Sequence, residues 1–264
     1  MKPINKLLIL IIIVWVILAI IFGFYDLNIS IAVVDENSAW GIFGADYGEA
    51  PGYGLIGIAI STLIGSYNKD IKKQKIPAYV TISIGFLLFV LGFVFDEQDL
   101  ILDGGAIFIC VIIFLILMFN KDWQNFRNIS AVITILAVLN PLIFVQLIKL
   151  FWGRIRFRDL SSGFIDFTPW FIPQGITGNQ SFPSGHTSMS FMLVPLLILV
   201  KDRKWKDPVR IITTVLVLGW AIFVGLSRIV VGAHYASDVL FSGMMALVIT
   251  ILFYKRIYLK KLEK

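Results

Sequence analysis

An all-α bundle of membrane-spanning helices is the fold this chain predicts, from its composition, the length of its apolar runs and their texture. Hydrophobic residues make up 58% of the 264 and charged residues 15%, whereas soluble domains carry roughly a quarter charged. The mean hydropathy is +0.87. The apolar residues are gathered into stretches of about 15 to 23, most of them long enough to cross a hydrocarbon core of about 30 Å as helices. These runs are continuous rather than alternating, which excludes a closed barrel of strands.

About eight spans follow, near 7–25, 53–67, 77–95, 104–119, 129–148, 186–200, 210–227 and 236–254. The first, Leu7 to Phe24 behind Lys2 and Lys6, has no small-x-small cleavage site and is long enough to span. It reads as an uncleaved helix rather than a secretory signal. No repeat, low-complexity tract or soluble domain interrupts the series, so one membrane domain is expected, with N-terminal spans over 1–128 and the polar motifs within 129–254. Cys110, the single cysteine, lies inside an apolar run, which excludes an intrachain disulfide and a cysteine-based zinc site.

The loops alternate in charge. Asp26, Asp35, Glu36, Asp46 and Glu49 lie between the first two spans with no lysine or arginine among them, and the next loop holds Lys69, Lys72, Lys73 and Lys75. Asp96, Glu97, Asp99 and Asp103 make the following loop acidic. Lys121 and Arg127, then Lys201, Arg203, Lys204 and Lys206, and finally Lys255, Arg256, Lys260, Lys261 and Lys264 fall on the same side as the first lysine loop. The positive-inside rule makes that side cytoplasmic and puts both termini there. The net charge of +6 is thereby explained by membrane orientation, and no nucleic-acid partner is expected because the basic residues form no massed soluble patch. One outer loop breaks the rule: Lys149, Arg154, Arg156 and Arg158 cluster where cations are usually sparse, so something other than topology requires them.

The chain has two histidines, His186 and His234, and the span count places both at outer helix ends. A lone histidine is ordinarily a packing residue; the neighbours of these two argue otherwise. His186 follows Pro183, Ser184 and Gly185 at the start of an apolar run. Proline, a hydroxyl and glycine open a helix there, and the unpartnered N–H groups of a first turn bind anions. Gly185 lets a phosphate approach the backbone, Ser184 adds a donor, and His186 is within reach for proton transfer. An ordinary helix cap accounts for Pro183 and Ser184 but not for the histidine. His234 precedes Asp238 by one helical turn, so the carboxylate is placed to accept the imidazole Nδ1–H and leave Nε2 as nucleophile or base. Arg228 precedes His234 in the same segment. With the cations of the preceding outer loop it outnumbers what membrane anchoring requires, and a phosphoryl group in transit needs several fixed cations around its equatorial oxygens.

These three segments together resemble the signature of the type 2 phosphatidic acid phosphatase superfamily, which includes the vanadium haloperoxidases. Lys149 and Arg156 match its first motif, with Phe157 standing where the motif has proline; Pro183 to His186 match the second; Ser227, Arg228, His234 and Asp238 match the third. The resemblance covers the chain from about residue 129 onward. It implies a six-helix core, leaving about two additional spans in the first half. It also implies a lipid phosphatase without metal or other cofactor, in which His234 attacks phosphorus, Asp238 holds its ring and His186 serves as acid and then base. Lys149, Arg156, Ser184, Gly185 and Arg228 would bind the phosphoryl oxygens. The residues themselves agree on the metal, because no acidic cluster suited to magnesium stands beside the motifs.

A lipid phosphate is therefore the expected partner, with the bilayer, on the extracytoplasmic side; phosphatidate, phosphatidylglycerophosphate and undecaprenyl diphosphate all remain open. The competing reading is a lipid-phosphate binding or transport protein, but transporters show related halves and polar residues near span centres. Halide oxidation is implied only by kinship, to soluble enzymes. The segment from Asp26 to Gly52, with Trp40 and Tyr47, reads as an aromatic interfacial loop, with headgroup contact as the alternative. Oligomeric state is not legible.

Overall fold

The computed structural model describes residues 3–259; Lys2, Lys260, Lys261 and Lys264 of the charge pattern lie outside them. The helices are α1 (Pro3–Val33), α2 (Ala39–Tyr47), α3 (Ala50–Gly65), α4 (Ile76–Phe95) and α5 (Gln98–Leu117). Next, α6 (Arg127–Ala137) runs through a π-helical stretch, Val138–Val145, into α7 (Gln146–Trp152). The stretch contains Pro141, whose missing N–H breaks the regular ladder. Then α8 (Gly185–Ser190) continues through a 3-10 stretch, Phe191–Leu196, into α9 (Leu197–Val200), followed by α10 (Pro208–Val230) and α11 (Ala236–Tyr254). No strand occurs among the described residues.

Every expected span coincides with a helical segment, but two boundaries carry a correction. The first helix continues to Val33, 31 residues, which at about 1.5 Å per residue overshoots a hydrocarbon core of about 30 Å. Asp26 is thus a buried helical residue and not a loop acid. The supposed interfacial loop contains α2, whose Trp40 and Phe43 pack on Phe223 of α10 at centroid distances of 5.8 and 6.3 Å.

Six segments are long and apolar enough to cross a bilayer by themselves. The two shorter ones, α3 and Gly185–Val200, are those enclosed by the rest. Ala59, Ile129, Leu136, Met189, Met192 and Ala246 form one buried cluster that joins α3, α6, the α8–α9 segment and α11. Around this core α1, α4, α5 and α10 turn exposed Ile, Leu, Val and Phe outward, as helices whose own ladders satisfy their backbone can do in lipid.

The loops collect at opposite ends of the bundle. At one end Gln74 Nε2 donates to Asp122 Oδ1 at 2.7 Å, Lys75 Nζ to the Lys121 carbonyl at 2.7 Å and Arg127 Nε to Ser66 Oγ at 3.0 Å. At the other the Asp35 N–H donates to the Val230 carbonyl at 2.8 Å and the Arg158 N–H to the Gly232 carbonyl at 3.1 Å. The first end is rich in lysine; the second holds every motif.

Candidate active site

Side chains from α1, α7, α8, α10 and α11 converge at the motif-bearing end, with Glu49 from the turn before α3. Two of the positive-φ glycines, Gly153 and Gly232, bound the helices that carry the site. Gly153 (φ 58°) ends α7, and a Cβ on it would stand 2.3 Å from the Gly175 carbonyl oxygen; Gly232 (φ 67°) turns α10 toward α11. The turn at Gly232 lets the N–H groups of Ala233 and His234 both donate to the Arg228 carbonyl at 3.1 Å, which seats His234 beside the end of α10.

His234 is buried, and its Nδ1 lies 2.6 Å from the Ser181 carbonyl oxygen. A carbonyl can only accept, so Nδ1 carries the proton and Nε2 keeps its lone pair. The expected acceptor, Asp238, sits farther away, with Oδ2 at 3.5 Å. That oxygen is already occupied by Ser181 Oγ at 2.6 Å and the Tyr235 N–H at 2.9 Å. Asp238 therefore holds the serine whose carbonyl holds the ring. Burial, and after it the charges of Arg228 and Lys149, push the His234 imidazole down to about 3 from 6.5 against the opposing pull of Asp238; the ring is neutral near pH 7.

The four loop cations divide by partner. Arg154, 1% exposed, is engaged through all three nitrogens: Nη1 meets Asp238 Oδ1 at 2.6 Å and Ser237 Oγ at 2.8 Å, Nη2 meets Asp26 Oδ2 at 3.0 Å, and Nε donates to the Thr168 carbonyl at 2.9 Å. The face of its guanidinium lies 3.9 Å from the Tyr235 ring centroid. Four of its five N–H groups are thereby taken, and the side chain is sealed from solvent. Arg158 faces Asp159 at 3.9 Å on the surface. Lys149 and Arg156, with Arg228, pair with no carboxylate among the described residues. Arg228 is 8% exposed, and its Nε is buried without a hydrogen-bond partner. Lys149 Nζ would stand 3.5 Å from a Cβ placed on Gly185. Arg156 lines a polar cleft of about 160 Å³ with Asp159, Gly178, Asn179 and Gln180. Phe157, which replaces the motif's proline, stacks on Phe164 at 5.4 Å, an aromatic anchor in place of a fixed backbone angle.

Ser184 is the N-cap of α8, its Oγ accepting from the Thr187 N–H at 3.3 Å. The first-turn amides of Gly185 and His186 have no intrahelical acceptor. His186 is partly exposed, and its Nδ1 lies 2.9 Å from Glu49 Oε1. Burial alone would raise the Glu49 carboxyl, but its hydrogen bond to His186 and the charges of His186, Arg228 and Lys149 hold it below the usual carboxylate range.

Asp26 and Glu49 were missed as site residues. The charge alternation accounted for both as topology, and no local spacing links either to a motif. Together they bring carboxylates to the site that the sequence had suggested were absent from its neighbourhood. Asp26 and Asp238 share the Arg154 guanidinium, and no group of His, Cys, Asp and Glu among the described residues is placed to hold a metal ion.

The profile of the PAP2 superfamily matches residues 130–261, half of the chain. The chain belongs to the PAP2 superfamily. It is similar to the lipid A 4'-phosphatase of Francisella tularensis subsp. novicida, 31% identical over 159 residues, which are 58% of this chain and 70% of that protein. It is also similar to the lipid A 1-phosphatase of Rhizobium etli, 32% identical over 117 residues, or 41% of this chain and 44% of the relative. No solved structure matches it significantly. This PAP2 protein is accordingly a phosphatase of the membrane-lipid branch. Its motif residues all lie in the matched region, whereas Asp26 and Glu49 lie before it.

Proposed function

We propose that this PAP2 phosphatase removes the terminal phosphate of a lipid mono- or diphosphate through a phosphohistidine on His234, at the extracytoplasmic face. The observation that carries the reading is Arg228, a buried arginine with an unpartnered Nε, beside a histidine kept neutral with Nε2 free. An unpartnered donor on a buried guanidinium is what binding of an anion requires.

In the first step the His234 Nε2 lone pair forms a bond to phosphorus while the bond to the lipid oxygen breaks, and His186 gives that oxygen its proton. Lys149, Arg156, Arg228, the Ser184 hydroxyl and the Gly185 amide surround the equatorial oxygens, where charge is spread in the transition state. In the second step His186, now neutral, takes a proton from water. The oxygen of that water attacks phosphorus, the N–P bond breaks, and inorganic phosphate leaves. No step needs a metal ion.

An apolar groove of about 230 Å³ lined by residues including Phe22, Leu226, Ile229, Ala236 and Leu240 reaches Ala236, close along the chain to His234. Acyl chains occupy such a groove while the headgroup meets the cations. The names of the two relatives add lipid A phosphates to the substrate classes named above. The lysine-rich end would be cytoplasmic, with both termini. A binding or transport protein would use the cations but has no need of a nucleophile-grade imidazole.

Purified protein is to be offered phosphatidate, phosphatidylglycerophosphate, undecaprenyl diphosphate and lipid A phosphates in chelator. Phosphate release from at least one, blocked by vanadate as a transition-state mimic, is expected. Alkaline quenching and mass spectrometry should find phosphate on His234, none in His234→Ala, and a slowly hydrolysed intermediate in His186→Ala with an activated aryl phosphate. Binding without release, or phosphate on His186 in the wild type, would overturn the proposal.

A further inference from the structure

Glu49 belongs to no motif, yet it makes the one close side-chain contact that His186 has with an acid among the described residues, 2.9 Å from Oε1 to Nδ1. The backbone that carries it is locked in place. A Cβ on Gly52 would stand 2.4 Å from the Met189 carbonyl oxygen, and one on Gly48 would stand 2.3 Å from the Gly44 carbonyl oxygen and 2.7 Å from Val224. Trp220 Nε1 donates to the Gly48 carbonyl at 3.2 Å. The start of α3 is therefore pressed onto α8 and α10, with Glu49 between them facing the imidazole. Its carboxylate forms no other ion pair among the described residues.

We propose that Glu49 is the positioning residue for His186. An ionised carboxylate can only accept, so Nδ1 must keep its proton and the Nε2 side is the one that faces the phosphoryl group. After Nε2 has given its proton to the leaving oxygen, the ring is left as the Nδ1–H tautomer, with the Nε2 lone pair ready to take a proton from water. Without the carboxylate the ring is free to rotate and to adopt the opposite tautomer, in which Nε2 cannot act as a base. The Ser181 carbonyl does the same for His234, so each histidine has its own acceptor. The inference rests on His186 being the acid and base, and it gives the N-terminal spans a part in the chemistry.

The two histidines make the test direct. In protein labelled with ¹⁵N-histidine, His186 should show a protonated Nδ1 in the wild type and a gain of the Nε2–H tautomer in Glu49→Ala and in the isosteric Glu49→Gln, whose amide can donate to Nδ1. The His234 pattern should stay unchanged in both, which reports an intact fold. Turnover of a lipid phosphate should fall about 10- to 100-fold in kcat with KM little changed, part of the roughly 10²–10⁴ that acid–base catalysis supplies. Phosphoenzyme formation from an aryl phosphate should fall much less, and Glu49→Ala should add nothing to His186→Ala. A wild-type His186 pattern in both variants, or equal losses on the two substrates, would overturn the role of Glu49. Full activity of His186→Ala would instead overturn the reading of His186 on which it rests.

Discussion

Arg154 Nη1 and Asp238 Oδ1 meet at 2.6 Å with side chains 1% and 0% exposed, and Asp26 of α1 closes the group from the other side at 3.0 Å. A cation sealed between two carboxylates ties the first helix, the loop after α7 and the last helix into one end of the bundle.

Arg154→Met should therefore act on stability first. Removing one partner of a buried pair leaves an uncompensated charge and costs about 3–5 kcal/mol, or a fall in Tm on the order of 10 °C for a protein of this size. Lys149→Met and Arg156→Met remove cations that pair with no carboxylate, and should leave Tm within a few degrees by the usual tolerance of such sites while kcat/KM falls steeply. Thermal unfolding in detergent checks the contrast, and a wild-type Tm for Arg154→Met would contradict it.

His234 should remain neutral far below the ordinary imidazole range. Its folded value is pushed down to about 3 and its unfolded value is about 6.5. Between these limits the unfolded chain binds a proton that the native state does not, so stability rises with pH across the window and is lost as pH falls toward 3. A ¹⁵N-histidine titration reads this directly, and a His234 midpoint near 6.5 would be the wrong result. In Asp238→Asn the Nδ1–H tautomer should persist, because the Ser181 carbonyl that accepts from it is retained.

Gly185→Ala should separate folding from catalysis. The new methyl would meet Lys149 Nζ at 3.5 Å and Glu49 Oε1 at 4.0 Å, ordinary contact distances, and alanine favours a helix. Tm should hold or rise slightly. The methyl nevertheless occupies the space through which a phosphate reaches the first-turn amides, so kcat/KM should fall about 100-fold, the scale of one lost oxyanion donor. Unchanged kinetics would mean that phosphate does not approach there.

Topology is read with single cysteines at Ser162 and Lys204, both exposed, in a Cys110→Ala background. An impermeant thiol reagent applied to intact cells should label position 162 and spare 204. The reverse pattern would turn the protein over in the membrane.

The bilayer is a demanding solvent, and its demands are local. Run length and continuity sufficed to read the helical spans, because each must satisfy its own backbone within one segment. The residues proposed for the site, Lys149, Arg156, Ser184, Gly185, His186, Arg228, His234 and Asp238, could be nominated from the sequence for the same reason, since each stands in a short motif beside a span. What tertiary structure decided is how these motifs are partnered. Arg154 was one of four clustered loop cations with no role of its own until packing placed Asp26 and Asp238 against it. His234 takes its acceptor from the Ser181 backbone, which no side-chain pattern encodes. Glu49 and His186 are brought together by glycine-lined helix contacts whose pairing depends on which helices abut, and that is set by packing across the whole bundle rather than by any stretch of chain.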